Sequence, residues 1–135
     1  MVEQISLMEA YSIEALKGAN VTDETILEKV RTQNLHEITE GFEARLDFNL
    51  LYGIEGKLPS ILRDGYQVKF LTFPGLQRLL EIKLGKQETD DYTLDGFTVK
   101  ELQLTDKEAQ VVRTFLANNW MMEQVADGSY FIQPK

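Results

Sequence analysis

The sequence contains no cysteine, one histidine and three prolines in 135 residues. Without cysteine the chain can form no disulfide and no thiolate metal site, and it offers no thiol nucleophile. No stretch reaches the roughly 18 to 20 apolar residues of a membrane span, and the first residues do not follow the pattern of a secretory signal. We therefore expect a cytoplasmic protein that does not enter a membrane.

Basic residues are scarce as well: 14 lysines and arginines stand against 22 acidic residues, which gives a net charge of -8. Residues 1–41 and 87–110 each sum to -5, whereas residues 66–86 sum to +3. The oppositely charged segments could pair inside the fold, or the acidic ones could meet a basic partner. The net charge makes nucleic-acid binding an unfavoured interpretation, for which the candidate residues are Lys69, Arg78, Lys83 and Lys86.

No repeat, low-complexity tract or linker divides the chain, so residues 1–135 should form a single domain. Apolar residues at helical spacing predict helices over residues 4–17 and 23–33, the second of them capped by Thr22. Over residues 42–50 apolar and polar side chains alternate instead, which predicts a strand with one buried face.

The middle of the chain contains one ambiguous segment. Pro59 predicts a short helical turn that ends before Gly65, and residues 66–72, rich in aromatic and β-branched side chains, predict a strand. Residues 74–84 fit two patterns, and we prefer the helix. The helical pattern consists of Leu76, Leu79, Leu80 and Leu84, and the strand pattern of Leu80, Ile82 and Leu84.

A polar loop over residues 86–96 precedes the last third of the chain. Residues 97–104 predict a strand whose apolar phase shifts between Val99 and Leu102, as it does at a β-bulge. The apolar runs on either side of Asp127-Gly128 predict a β-hairpin over residues 120–133, with a two-residue type I′ turn.

Between that strand and the hairpin, Thr105 and Glu108 have the spacing of a capping box, which predicts a helix over about residues 106–118. The expected fold is therefore α+β. It has two N-terminal helices, a mostly antiparallel sheet, and a capped C-terminal helix followed by a terminal hairpin.

The capped helix carries a resemblance to a known family. The run Leu104-Thr105-Asp106-Lys107-Glu108, with the apolar pairs Val111-Val112 and Phe115-Leu116, resembles the first helix of the winged-helix effector domain of response regulators. The resemblance covers this one helix and implies DNA recognition through a later helix that enters a groove. That family places two further helices before its wing, whereas here Trp120 opens the expected hairpin directly, so the recognition helix has no counterpart.

The sequence holds no recognisable catalytic motif. His36 lies in the turn region after the second helix, and none of the serines lies in a nucleophile-elbow pattern. Gly53 to Lys57 lacks the glycine spacing of a phosphate-binding loop and is better interpreted as a turn. We therefore expect neither a catalytic residue nor a cofactor.

One loop has a weak metal-binding pattern. Asp91, Thr93 and Asp95, followed by Gly96, place oxygen-bearing side chains at positions 1, 3 and 5 of a calcium loop. Leu102 stands where the bidentate glutamate belongs, so an exposed acidic loop is the preferred interpretation.

The expected hairpin is apolar on both faces. If Val125 faces Tyr130 across the turn, one face carries Trp120, Met122 and Phe131. The hairpin is then either buried on both sides or packs one face against a partner chain, and a homodimer through the hairpin is one such outcome.

From these observations we expect a non-catalytic, acidic protein-interaction or regulatory module, such as an adaptor, an inhibitor or an immunity-type protein, with a protein partner that is basic. The alternative is a small enzyme or small-ligand binder that uses a pocket of carboxylate and aromatic side chains. A nucleic-acid binder that uses residues 66–86 comes third.

Overall fold

The computed structural model describes residues 2–42 and 46–135, which form an α+β fold. Its helices are α1 (Leu7–Gly18), α2 (Asp23–Arg31), α3 (Leu58–Asp64), α4 (Phe73–Leu84) and α5 (Asp106–Phe115), with 3-10 segments at Leu35–Glu37 and Phe48–Lys57. Its strands are β1 (Glu3–Ile5), β2 (Tyr66–Val68), β3 (Thr93–Asp95), β4 (Thr98–Gln103), β5 (Trp120–Ala126) and β6 (Ser129–Pro134). None of the described helices is long and apolar enough to cross a membrane.

The strands form two sheets. β1 and β2 pair in parallel, and the other four strands form an antiparallel sheet in the order β3-β4-β6-β5, which leaves β5 at one edge. The apolar core receives Ile5 and Val68 from the small sheet and Val99 and Ile132 from the large one. The mostly antiparallel sheet and the α+β class are confirmed, and the parallel pair is an addition.

One carbonyl connects the segment after β2 to the start of β5. The Leu71 carbonyl accepts hydrogen bonds from Trp120 Nε1 at 2.6 Å and from Asn119 Nδ2 at 2.9 Å. Trp120 is buried at this point and stacks on Phe73, with ring centroids 6.0 Å apart. Asn119 and Trp120, where the terminal hairpin begins, therefore hold the turn before α4 in place.

The helix predicted over residues 4–17 starts too early. Ile5 belongs to β1 because it pairs with Val68, and the helix begins only after Ser6. Ser6 and Glu9 form a capping box, in which each side chain accepts a hydrogen bond from the backbone N–H of the other residue. The second helix is confirmed with Thr22 as its cap, but it ends at Arg31 rather than at residue 33.

The strand predicted over residues 42–50 is wrong where the structure describes that segment, and residues 43–45 lie outside the described residues. Phe48 instead begins a 3-10 segment, in which Phe48 and Leu51 are buried three positions apart. The Asp47 carboxylate caps the start of this segment by accepting a hydrogen bond from the backbone N–H of Asn49 at 3.1 Å. Leu50, which continues the period-two alternation, is exposed, so burial here follows the three-residue repeat of a 3-10 helix instead.

The central predictions are confirmed in type but not always in length. The short helix behind Pro59 forms as α3, and the strand predicted over residues 66–72 shortens to β2. The helix preferred for residues 74–84 is confirmed as α4, with Thr72 as its N-cap and Gly85 in the left-handed conformation at its end. The polar loop over residues 86–96 is interrupted by β3.

The C-terminal predictions are largely confirmed. The register shift between Val99 and Leu102 is present, and Glu101 inside it has a φ of 55°. The capping box of Thr105 and Glu108 opens α5, which ends at Phe115 rather than at residue 118. Residues 116–119, all of which the structure describes, contain no further helix before β5, so the likeness to a winged helix is limited to this one helix.

The hairpin forms, but its predicted register is wrong by one residue. Tyr130 lies opposite Gln124 rather than opposite Val125, because the register shifts between Gln124 and Ala126. Gly128 has a φ of 75° whereas Asp127 does not reach positive φ, so the turn is not the predicted type I′.

Candidate functional site

The three hairpin residues predicted to face a partner do not share one face. Met122 lies opposite Ile132, and both pack toward the core. Phe131 lies opposite Glu123 on the outer face of the sheet, where it is half-buried. Trp120 is only 6% exposed, so its side chain packs inside this chain and leaves little surface for a partner.

In the central basic segment, Lys83 and Lys86 form ion pairs with acidic residues of the same chain. Lys83 Nζ lies 2.7 Å from Glu14 Oε2, and Lys86 Nζ lies 3.3 Å from Glu108 Oε1. Each of these pairs connects the basic segment to one of the two acidic segments. Arg78 lies over the Tyr11 ring, 5.9 Å from its centroid, and Lys69 is exposed.

The residues of the candidate calcium loop form β3 and the segment just before it, not a metal-binding loop. Asp95 Oδ2 pairs with Lys100 Nζ at 2.8 Å, and Asp91 Oδ2 accepts a hydrogen bond from the backbone N–H of Gln87. Thr93 and Asp95 belong to β3. Across residues 2–42 and 46–135, no three His, Cys, Asp or Glu side chains are grouped so that they could hold a metal ion.

An acidic groove lies between α2 and α3 and has a volume of about 410 Å³. On α2, Ile26 and Val30 point into the core, which turns a neighbouring face of the helix toward the groove. The groove is lined by Glu24, Leu27, Glu28, Arg31, Glu55 and Pro59.

The charged side chains of this acidic groove are exposed. In the part of the chain that the structure describes, Glu24, Glu28 and Glu55 form no salt bridge, and neither does Arg31. The groove therefore combines an apolar floor with three carboxylates against one guanidinium.

A second candidate is the buried cluster of Glu14 on α1, Tyr66 on β2 and Lys83 on α4. Glu14 Oε2 accepts hydrogen bonds from Tyr66 Oη at 2.6 Å and from Lys83 Nζ at 2.7 Å. The Lys83 ammonium also lies 4.9 Å from the centroid of the Tyr66 ring. The cluster thus connects two helices and the small sheet through one carboxylate oxygen.

The electrostatics of the cluster favour a fixed hydrogen bond from the Tyr66 hydroxyl over transfer of its proton. Burial, reinforced by the charge of Glu14 and by the hydrogen bond to it, raises the pKa of Tyr66 well above its ordinary value. Tyr66 therefore remains a protonated donor at neutral pH. Since the same oxygen of Glu14 accepts both donors, this carboxylate is oriented as an acceptor within the cluster.

Sequence reasoning did not single out this cluster or the acidic groove. Glu14 lies at a helix position among other acids, and Lys83 lies in the basic segment with no partner that its neighbours in the sequence identify. The available signal was the opposite charge of the two segments, which indicates pairing but does not say which residues meet.

Comparison of the chain with protein-family models, with curated proteins and with solved structures found no match. A function has to be inferred from the residues and geometry of this chain alone.

Proposed function

We propose that this protein is a non-catalytic interaction module whose acidic groove binds a basic segment of a partner protein. The observation that carries the proposal is the composition of the groove: Leu27 and Pro59 supply apolar surface, and Glu24, Glu28 and Glu55 surround it with carboxylates. Such a surface is complementary to a segment with lysine or arginine beside an aliphatic anchor.

The distribution of charge over the fold supports this proposal. Lys83 and Lys86 already pair with acidic residues, and their side chains are 18% and 17% exposed. The carboxylates of the groove, in contrast, are exposed to solvent. Their charge would draw a basic partner toward the groove and would speed its association at low salt.

A homodimer through the hairpin is the weaker form of the partner proposal. The edge strand β5 offers unpaired backbone groups on its outer side, which another strand could engage. Glu123 on this strand and the irregularity next to Val125 are features that discourage edge pairing. We therefore expect a monomer in sedimentation equilibrium, and a dimer that is lost on Val125→Pro substitution would favour the hairpin instead.

The groove is tested with a fluorescently labelled peptide that carries two leucines among lysines. In the variant E24Q/E28Q/E55Q, three exposed ion pairs of about 0.5 kcal/mol each would be lost, so its Kd should rise roughly tenfold. The matched control D90N/E101Q/E123Q removes the same charge from exposed positions outside the groove. Its Kd should change by no more than about twofold at physiological salt.

Equal weakening in the two variants would show that the peptide responds only to net charge, and would contradict the proposal. Unchanged affinity in the groove variant would contradict it as well.

A further inference from the structure

A cavity of about 250 Å³ lies where α1, the end of α3, β2, α4 and α5 meet. One part of its wall is apolar and includes Ile13, Val111 and Phe115. Another part is polar and includes Lys17, Tyr66 and Lys83. The cavity therefore offers an apolar surface and a cationic one to the same small volume.

Lys83 lines this space and has more hydrogen-bond donors than its pair with Glu14 uses. An ammonium group has three N–H donors, and Glu14 accepts one of them. Glu14, whose side chain is 6% exposed, does not line the cavity, whereas Lys83 does. The remaining donors of Lys83 can therefore serve a group placed inside the cavity.

The charged groups around the cavity favour a ligand that carries a single negative charge. Glu14 balances Lys83, and Asp64 balances Arg63 through an ion pair of 2.9 Å. Lys17, also in the lining, forms no salt bridge with any residue that the structure describes. The surroundings thus sum to about one positive charge, within a chain whose net charge is -8.

We propose that the cavity binds a small monocarboxylate with an apolar body. The carboxylate would accept hydrogen bonds from Lys83 and lie near Lys17, while the body would pack against Val111 and Phe115. A volume of about 250 Å³ lies below the roughly 300 to 1,000 Å³ of pockets for drug-sized ligands. The ligand is therefore limited to the size of isovalerate or benzoate.

The probes are sodium isovalerate and sodium benzoate, compared with their uncharged amides and with inorganic phosphate, in an NMR titration of the full chain. For ligands of this size we expect a Kd on the order of 1 mM, with shifts confined to residues around the cavity such as Val111 and Phe115. The amides should bind at least about tenfold more weakly because they lack the charge.

Three variants give the test its specificity. Val111→Phe fills the cavity without changing any charge, and E14Q/K83M removes the cation while keeping the cluster neutral, so both should lose the shifts. Lys107→Met removes an exposed cation outside the cavity and should keep them.

The proposal is overturned if no carboxylate shifts the cavity residues at about ten times the expected Kd, or if the amides bind equally well. It is also overturned if binding survives in E14Q/K83M, or if phosphate binds more tightly than both carboxylates. The cavity shares no lining residue with the acidic groove, so failure here leaves the groove proposal intact.

Discussion

Replacing Lys83 by methionine should destabilise the protein strongly, because it leaves the buried Glu14 carboxylate with Tyr66 Oη as its remaining donor in the cluster. Removing one partner of a buried ion pair costs about 3 to 5 kcal/mol. Since the Lys83 side chain is 18% exposed, water can partly replace the ammonium, and we expect the lower end, about 3 kcal/mol.

The double variant E14Q/K83M should recover most of this loss. It removes both charges, and the glutamine can still accept the hydrogen bond from Tyr66, so its stability should lie within about 1 kcal/mol of the original chain. The thermodynamic cycle formed with Glu14→Gln should then give a coupling energy of at least about 2 kcal/mol.

The assay is urea unfolding followed by circular dichroism, for all four chains of the cycle. For a chain of this size, a loss of 3 kcal/mol corresponds to a fall in Tm of roughly 10 °C. A cost below about 1 kcal/mol for Lys83→Met, or a double variant as unstable as the sum of the single ones, would refute the buried pair.

Three further predictions concern the packing, capping and ionisation of single residues. Gly75→Ala should destabilise by about 1 to 2 kcal/mol in urea unfolding, because its Cβ would lie 2.6 Å from a methyl carbon of Leu7 and 2.9 Å from Oγ1 of Thr72, the N-cap of α4. Gly18→Ala, whose Cβ would meet nothing within 4 Å, should be neutral or stabilising by up to about 1 kcal/mol. Thr105→Ala should cost about 1 kcal/mol because α5 loses its N-cap. Stability should fall as the pH rises through about 10, because the unfolded chain releases the Tyr66 proton that the native state retains, and Tyr66→Phe should reduce this loss.

A specific outcome would contradict each of these predictions. Equal effects of alanine at Gly75 and Gly18 would deny the close contact with Leu7. A Thr105→Ala chain as stable as the original would show that the capping box contributes nothing. An unfolding free energy that falls equally between pH 8 and 11 with and without Tyr66 would exclude the burial effect.

Local signals in the sequence predicted local structure well. Thr105 and Glu108 lie three residues apart, and their capping box requires nothing beyond the helix that it opens. The same signal occurs at Ser6 and Glu9, where it would have corrected the start of the first helix. Apolar periodicity alone could not do so, because Ile5 suits both a helix and a strand.

Elements that depend on distant partners could not be predicted in this way. β1 exists because Ile5 pairs with Val68, far along the chain, and no local preference encodes that pairing. The predicted hairpin register was wrong for a related reason, since it depends on how β5 pairs with β6, and that pairing shifts between Gln124 and Ala126.

For the candidate sites, the sequence predicts which segments carry opposite charge but not which residues meet. The sequence showed that the central cations could pair with the flanking acids, and Lys83 and Lys86 do so. The identity of their partners depends on how α1 packs against α4 and on where α5 begins. The acidic groove likewise requires α2 and α3 to lie side by side, which no spacing within either helix reveals.

Binding of a basic segment in the acidic groove is tested most directly by an NMR titration of the isotopically labelled chain with the leucine-lysine peptide. We expect amide shifts to cluster on α2, around Glu55 and at the start of α3, and to shrink as salt is raised. Shifts that cluster on the four-stranded sheet, or that spread evenly over all exposed acidic residues, would contradict a binding site in the groove.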